Sequence, residues 1–265
     1  MGAKSRMSVE IIERSSDPRV AGSIKSAVRV LEILEFFSEV RRPATVGEVC
    51  RSLSYPQSST SALLHSMQDL GYLTFLPEQR SFAPTVRVAL LGGWLNEALF
   101  PNGSITQIME MLRERTGETI ILALQNGVHA QYASILLGTS PKRIYIRTGS
   151  LKPICRAAVG KVLLTHKAPR ELGRLVRRIN AEAADPTDMV DLTALSEELL
   201  QIRRDRHARS LGSVRAKRDV IATSLPMPAG QPPLAIGVGG PLERMNEIRD
   251  DVLRAFDEVI GIGRP

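Results

Sequence analysis

The sequence predicts an α+β chain of two domains, a winged helix-turn-helix followed by a larger sandwich of strands and helices. Three observations carry this reading. Residues 45–72 read as two short helices joined by a tight break. Two β runs around a polar turn follow immediately, over residues 72–76 and 81–84. Beyond residue 104, paired strand-like runs mix with amphipathic helices, the pattern of an α+β sandwich. With 265 residues and 43% apolar content, the chain is long enough for more than one core.

Residues 1–24 are polar and aperiodic, with Lys4, Arg6, Arg14 and Arg19 spread through them. They read as a flexible tail, either simply solvated or reaching DNA phosphate. A first helix is expected over residues 26–40, with Ala27, Val30, Leu31, Leu34 and Phe37 on one side, ended by Arg41-Arg42-Pro43. Thr45 and Glu48 have capping-box spacing, each satisfying one orphan amide of the other's turn. Val46, Val49, Cys50 and Leu53 give that second helix one apolar face. Pro56 cannot continue it but suits the first turn of the next.

The third helix, residues 56–70, places Leu63, Leu64, Met67 and Leu70 inward. Outward it shows Gln57, Ser58, Ser59, Ser61, Ala62 and His65. Short polar side chains let a helix approach the major groove closely, and Gln pairs in bidentate fashion with adenine. A Ser-rich solvated helix is the other reading. The hairpin that follows, turning at Pro77-Glu-Gln-Arg80, is a wing.

Ser26-Ala-Val-Arg-Val-Leu-Glu-Ile-Leu34, the Thr45 cap, Pro56-Gln-Ser58, Gly71-Tyr-Leu73 and the wing together resemble the isocitrate lyase regulator (IclR) family of bacterial transcription factors. The resemblance extends over residues 25–260. It implies a DNA-binding domain over residues 25–84, a linker and dimerisation helix over 85–100, and a GAF-like α/β effector-binding domain over 101–265. Thr45, Gln57, Ser58, Ser59, Ser61, Ala62, His65 and Arg80 then form the expected DNA face. Val88, Leu91, Trp94 and Leu95 lie on the expected linker helix, residues 86–99. Trp94 is read as a dimer contact, with packing in its own domain as the alternative.

In the second domain a helix is expected over residues 104–116. Strands follow over 118–124, 130–136 and 143–148, then helices over 169–179 and 192–207. Strands over 219–225 and 234–238 precede a terminal helix over 242–260. Gly149-Ser-Leu-Lys-Pro153 and Gly160-Lys-Val-Leu-Leu164 look like the family's Gly-Ser-x-x-Pro and Gly-Lys-x-x-Leu pattern, the lip and floor of its effector pocket. A loop entering a helix offers free amides and the positive dipole end, which suits a carboxylate. A purely structural loop remains the alternative.

The resemblance makes Leu151, Ile154, Arg156, Ala158, Val159, Ser210, Val220, Gly237 and Gly239 the expected effector residues. Where the family commonly has an Asp, a Cys and two serines, this chain has Ser210, Val220, Gly237 and Gly239. Arg156 replaces a usual Ala or Ser. These departures imply a roomier, more apolar pocket suited to an aromatic or longer organic acid. On the recognition helix, Gln57 and Ala62 stand where the family usually carries Lys and Arg.

Composition sets bounds on the rest. No apolar run reaches membrane-span length and no signal-peptide core follows the start, so a cytoplasmic location is expected. Two distant cysteines, Cys50 and Cys155, do not make a disulfide framework. Net charge is +7, yet residues 1–100 hold 11 Lys and Arg against 10 Asp and Glu, so basicity does not locate the DNA face. The four histidines lack metal-ligand spacing, and no cofactor is expected. Cys155 beside Arg156 raises a Cys-dependent hydrolase as a competing class, with no histidine tied to it. Gly237-Val-Gly-Gly240 lacks the Lys and spacing of a phosphate loop.

The reading is therefore a non-enzymatic, ligand-responsive regulator. Its partners are a palindromic double-stranded DNA operator, a small organic acid and further copies of itself, as a homodimer or homotetramer, with no membrane. A sensing module that reads no DNA is the alternative.

Overall fold

The computed structural model describes residues 24–93, 104–211 and 217–261. The chain divides into two compact units between Trp94 and Leu95. Tail residues 1–23, Trp94 and Leu95 of the expected linker helix lie outside the described residues.

The first unit runs α1 (Lys25–Val40), β1 (Ala44–Thr45), α2 (Val46–Leu53), α3 (Gln57–Asp69), β2 (Leu73–Leu76), β3 (Ser81–Pro84) and α4 (Val86–Leu90). The apolar face of α1 is rotated from the expected one. Ile33, Phe36 and Phe37 are buried, with Val30 and Leu34 packed beside them, while Ala27 is exposed and Leu31 is 62% exposed. The buried side keeps Val30, Leu34 and Phe37 of the expected stripe and takes Ile33 and Phe36 in place of Ala27 and Leu31. Burying a Phe removes far more apolar surface than burying an Ala.

Helix α2 ends at Ser54 in the left-handed conformation, φ 57°. Helix α3 buries Thr60, Leu64 and Met67 against α1 and α2, whereas Leu70, expected inside, is 62% exposed at the helix end. The three strands pair antiparallel in the order β1-β3-β2, with Phe75 opposite Phe82. Thr85 ties the wing back to the end of α3: its hydroxyl donates to the Gly71 carbonyl at 2.6 Å and accepts from the Arg87 amide.

The second unit contains α5 (Ile105–Thr116), β4 (Thr119–Asn126), β5 (His129–Leu136), β6 (Leu151–Pro153), α6 (Ala158–Leu164), α7 (Pro169–Glu182) and α8 (Leu192–Asp205). Then come β7 (Ala208–Leu211), β8 (Arg218–Ser224), β9 (Ala235–Pro241), α9 (Leu242–Glu247) and α10 (Arg249–Ile260). Its six-stranded antiparallel sheet has the order β6-β5-β4-β9-β8-β7.

Period-2 alternation sends neighbouring residues of each strand into different cores. On β4, Ile121 and Ala123 meet α6, α7 and α8, while Ile120 and Leu122 meet α5, α9 and α10. Helices therefore cover both faces.

Two expectations fail here, and one strand was missed. The strand expected over residues 143–148 does not form. Its isoleucines go into packing instead, and the Ile144 carbonyl accepts from the Thr119 hydroxyl at 3.1 Å. The sequence did not announce β7, whose Arg209 pairs with buried Asp219 on β8. The terminal helix is two helices, broken at Ile248 (φ −99°, ψ 12°).

Candidate functional site

Two clusters hold the residues singled out above, one in each unit. In the first, the start of α3 presents Gln57, Ser58 and Ala62 exposed, with Ser61 half-buried. The N-cap residue, Pro56, has no side-chain cap to offer, which leaves the first-turn amides facing solvent or an anion. Ser59 is engaged: its hydroxyl donates to the Pro56 carbonyl at 3.2 Å and accepts from Arg29 Nη1 at 3.3 Å. Arg29, on α1, lies 4.7 Å over the Tyr55 ring. It brings a cation to the mouth of α3, although Gln57 and Ala62 themselves bring none.

His65 is exposed on the same side of α3 as Ser58 and is also in contact with its neighbours. Its ring packs edge-on against Phe82 at 5.2 Å, and Nδ1 sits 3.3 Å from Gln68 Oε1, so it couples α3 to the base of the wing. Thr45 is occupied as a cap. Its hydroxyl accepts from the Glu48 amide at 3.3 Å, and Glu48 Oε2 accepts from the Thr45 amide at 2.9 Å. That backbone bond, then Arg42 at 2.9 Å, holds the Glu48 carboxyl below its usual range. Arg80 is exposed at the wing turn with φ 46°.

In the second unit, β8 and β9 place Val220 opposite Gly239 and Ala222 opposite Gly237, with Ser210 opposite Val220 on β7. Ile154, Ala158 and Val159 are buried beneath the same sheet face, and Leu151 is half-buried at its edge. The glycines do not leave open space. A Cβ at Gly237 would come within 3.0 Å of Val220 Cγ1 and 3.1 Å of Val159 Cγ1. At Gly239 it would meet Ile144 Cδ1 at 2.8 Å and Val220 Cγ2 at 3.2 Å.

The volume given up by the missing serines is thus taken by branched apolar side chains, which corrects the expectation of a roomier pocket. Close packing fills such gaps wherever a neighbouring rotamer can reach. Arg156 is also turned from the cluster's interior: it is half-exposed, donates to the Thr187 carbonyl at 2.7 Å and pairs with Asp188 at 3.0 Å.

Burial pushes the Cys155 thiol up to about 11, against the opposing pull of Lys161 and Arg156. At neutral pH it is a protonated, buried thiol, the wrong state for a nucleophile. Among the described residues no group of three or more His, Cys, Asp or Glu is placed to hold a metal. None of their helices is long and apolar enough to cross a membrane.

Sequence reasoning missed Arg29 and Ile144. Each acts across a long sequence separation, and no local pattern marks either one.

The IclR helix-turn-helix domain matches residues 26–77, and the bacterial transcriptional regulator IclR C-terminal domain matches residues 103–259. Among curated proteins, the chain is 25% identical over 248 residues to the HTH-type transcriptional regulator BhcR of Paracoccus denitrificans, covering 90% of this chain and 87% of that one. It is 23% identical over 264 residues to the transcriptional repressor IclR of Escherichia coli, covering 94% and 92%. The crystal structure of Thermotoga maritima IclR superposes with a TM-score of 0.57 at 18% identity, over 90% of this chain and 98% of that one. At that identity the likeness is one of fold.

Proposed function

Because the chain belongs to the IclR family of bacterial transcriptional regulators, with its C-terminal domain alone matching more than half the sequence, we propose that it reads a palindromic operator as a homodimer or homotetramer and answers to a small organic acid. The observation that carries the DNA reading is the start of α3: exposed Gln57, Ser58 and Ala62 on a helix end without a side-chain cap, with Arg29 beside it. Dimer symmetry would set two such helices into successive major grooves. Base reading falls to Gln57, Ser58 and Ser61. With few cations beside them, the electrostatic share of affinity is small; each neutralised phosphate contributes about −0.9 to the log–log salt slope.

The effector is an aromatic or longer-chain acid in contact with Val220, Val159 and the edge at Leu151. The apolar walls around Gly237 and Gly239 support this class over two- or three-carbon acids. Arg156 would supply the cation by leaving Thr187 and Asp188 and turning inward. Its pair with Asp188 is half-exposed on both sides, and such pairs are worth about 0–1 kcal/mol, so exchanging Asp188 for a ligand carboxylate costs little. Coupling between the two sites is reciprocal, typically about 1–3 kcal/mol.

The test is a selection of genomic fragments with purified protein, with and without a panel of organic acids. One enriched palindrome, shifted by an aromatic or longer acid and relaxed at one base pair per half-site by Gln57→Ala, is the expected result. Stabilisation by an acid without any enrichment at low salt would favour a sensing module that reads no DNA, the reading to which uncharged Gln57 and Ala62 lend weight.

A further inference from the structure

The second unit holds a cavity of about 700 Å³ that shares no lining residue with the Gly237–Gly239 cluster. It opens to solvent where β8 ends at Ser224, beside the last turns of α6, α8 and α10 and the loop over residues 225–233. Its volume lies within the range of small-molecule sites, about 300–1,000 Å³.

The charges on its wall are already compensated. Arg203 donates through Nε to the Thr165 carbonyl at 2.8 Å, and through Nη2 to the same carbonyl and, at 3.4 Å, to that of Lys167. Its guanidinium thus sits on the negative end of α6. Arg206, on the same wall, is also engaged by a neighbour. Burial, then Arg203, pushes the His166 imidazole below its usual range, so it is neutral at pH 7. No acidic side chain lines the cavity. Neither a carboxylate nor an ammonium finds an uncompensated partner here, and stripping water from either without one is unfavourable. The guest that fits is neutral.

The hydrogen bonds at the polar edge leave an acceptor. The Ser224 hydroxyl donates to the Leu225 carbonyl at 3.4 Å, so it accepts from His166 Nε2, 2.7 Å away. With the one ring proton on Nε2, Nδ1 carries a lone pair, and among the described residues nothing donates to it.

The rest of the wall suits an aromatic ring. Met227 brings a polarisable thioether, and Pro226, Pro228 and Pro233 bring rigid apolar faces. Sulfur–aromatic contact, and a guanidinium held in place by carbonyl bonds, both favour a π-system over an alkyl chain.

We propose that this cavity binds a neutral heteroaromatic molecule with a ring N–H, its ring against Met227 and Arg203 and its N–H donated to His166 Nδ1. The site is separate from the one assigned to the effector above and does not depend on DNA reading.

The experiment is calorimetry on the full chain at neutral pH with indole, against 1-methylindole, indole-3-acetate and tryptamine. Indole binds with one site per chain. 1-Methylindole, which has no N–H, binds about fivefold more weakly, the size of one net hydrogen bond. The anion and the cation bind at least tenfold more weakly. His166→Phe erases the difference between indole and 1-methylindole. Met227→Trp fills the apolar wall and abolishes binding; should it fail to fold, Gln231→Trp on the exposed loop blocks the same mouth. The proposal is overturned if indole gives no heat up to its solubility limit, or if either charged analogue or 1-methylindole binds as tightly. Undiminished indole binding by a folded Trp variant would put the ring elsewhere, the effector cluster included, and overturns it as well.

Discussion

Gly160 shows what a single missing Cβ does in this molecule. A Cβ there would sit 2.1 Å from the Ile154 carbonyl oxygen, so α6 rests directly on the loop that precedes it. The motif containing Gly160 was legible in the sequence, but its reason was not, because the opposing atom belongs to backbone with no residue signature. Gly160→Ala must push the helix off its bed, with an expected loss of about 3 kcal/mol in urea unfolding. An unchanged midpoint would contradict the contact. Glu118 raises a different residue-scale question. Its side chain is 2% exposed, Oε2 has no hydrogen-bond partner, and burial outweighs Arg244 at 3.6 Å, so its carboxyl is raised above the usual range. A raised folded-state pKa means the stability contributed is fully present below the unfolded value and lost as pH rises through the folded one. Glu118→Gln is therefore expected to raise Tm at pH 8, with the gain shrinking toward pH 4. A constant offset across that range would show that ionisation is not the cause.

Elements whose evidence lies within a few residues were read correctly. The Thr45–Glu48 box, the Pro56 boundary and the wing all follow from short-range sterics and capping. Elements defined by distant partners were not. Residues 143–148 have the composition of a strand, yet β5 makes its main-chain bonds to Ser150 and Gly149 and to β6 instead. The short β7 exists because buried Asp219 on β8 needs Arg209 beside it, with Nε at 2.5 Å. The contact of α1 with α3 is of the same kind, since Arg29 reaches Ser59 across thirty positions of sequence. If Arg29 also meets a phosphate, Arg29→Gln lowers the log–log salt slope of operator binding by about 1. An unchanged slope, measured by fluorescence anisotropy, would leave Arg29 as a brace for Ser59 and Tyr55 only.

At the scale of the whole molecule, charge was a poor guide. The chain carries +7, but its first hundred residues are nearly balanced, and the proposed DNA face of α3 is small and polar rather than basic. The second unit was legible as strands and helices, and its two cores follow from alternation along β4, β8 and β9. What alternation cannot reveal is which side chain fills the gap that a glycine leaves. Over Gly239 that side chain is Ile144, on the stretch that was misread as a strand. The occupant of this space is thus the protein itself, with which the proposed acid would compete. Were the proposed acid to bind here it would have to displace Ile144, and association would be gated: in stopped-flow mixing, the observed rate is then expected to climb with acid concentration and level off at the frequency of that displacement. The measured Kd exceeds the intrinsic one by the reciprocal of the open fraction. Ile144→Val, one methylene shorter, is expected to lift the plateau and tighten binding together, whereas a rate that stays linear in acid would mean the gate stands open.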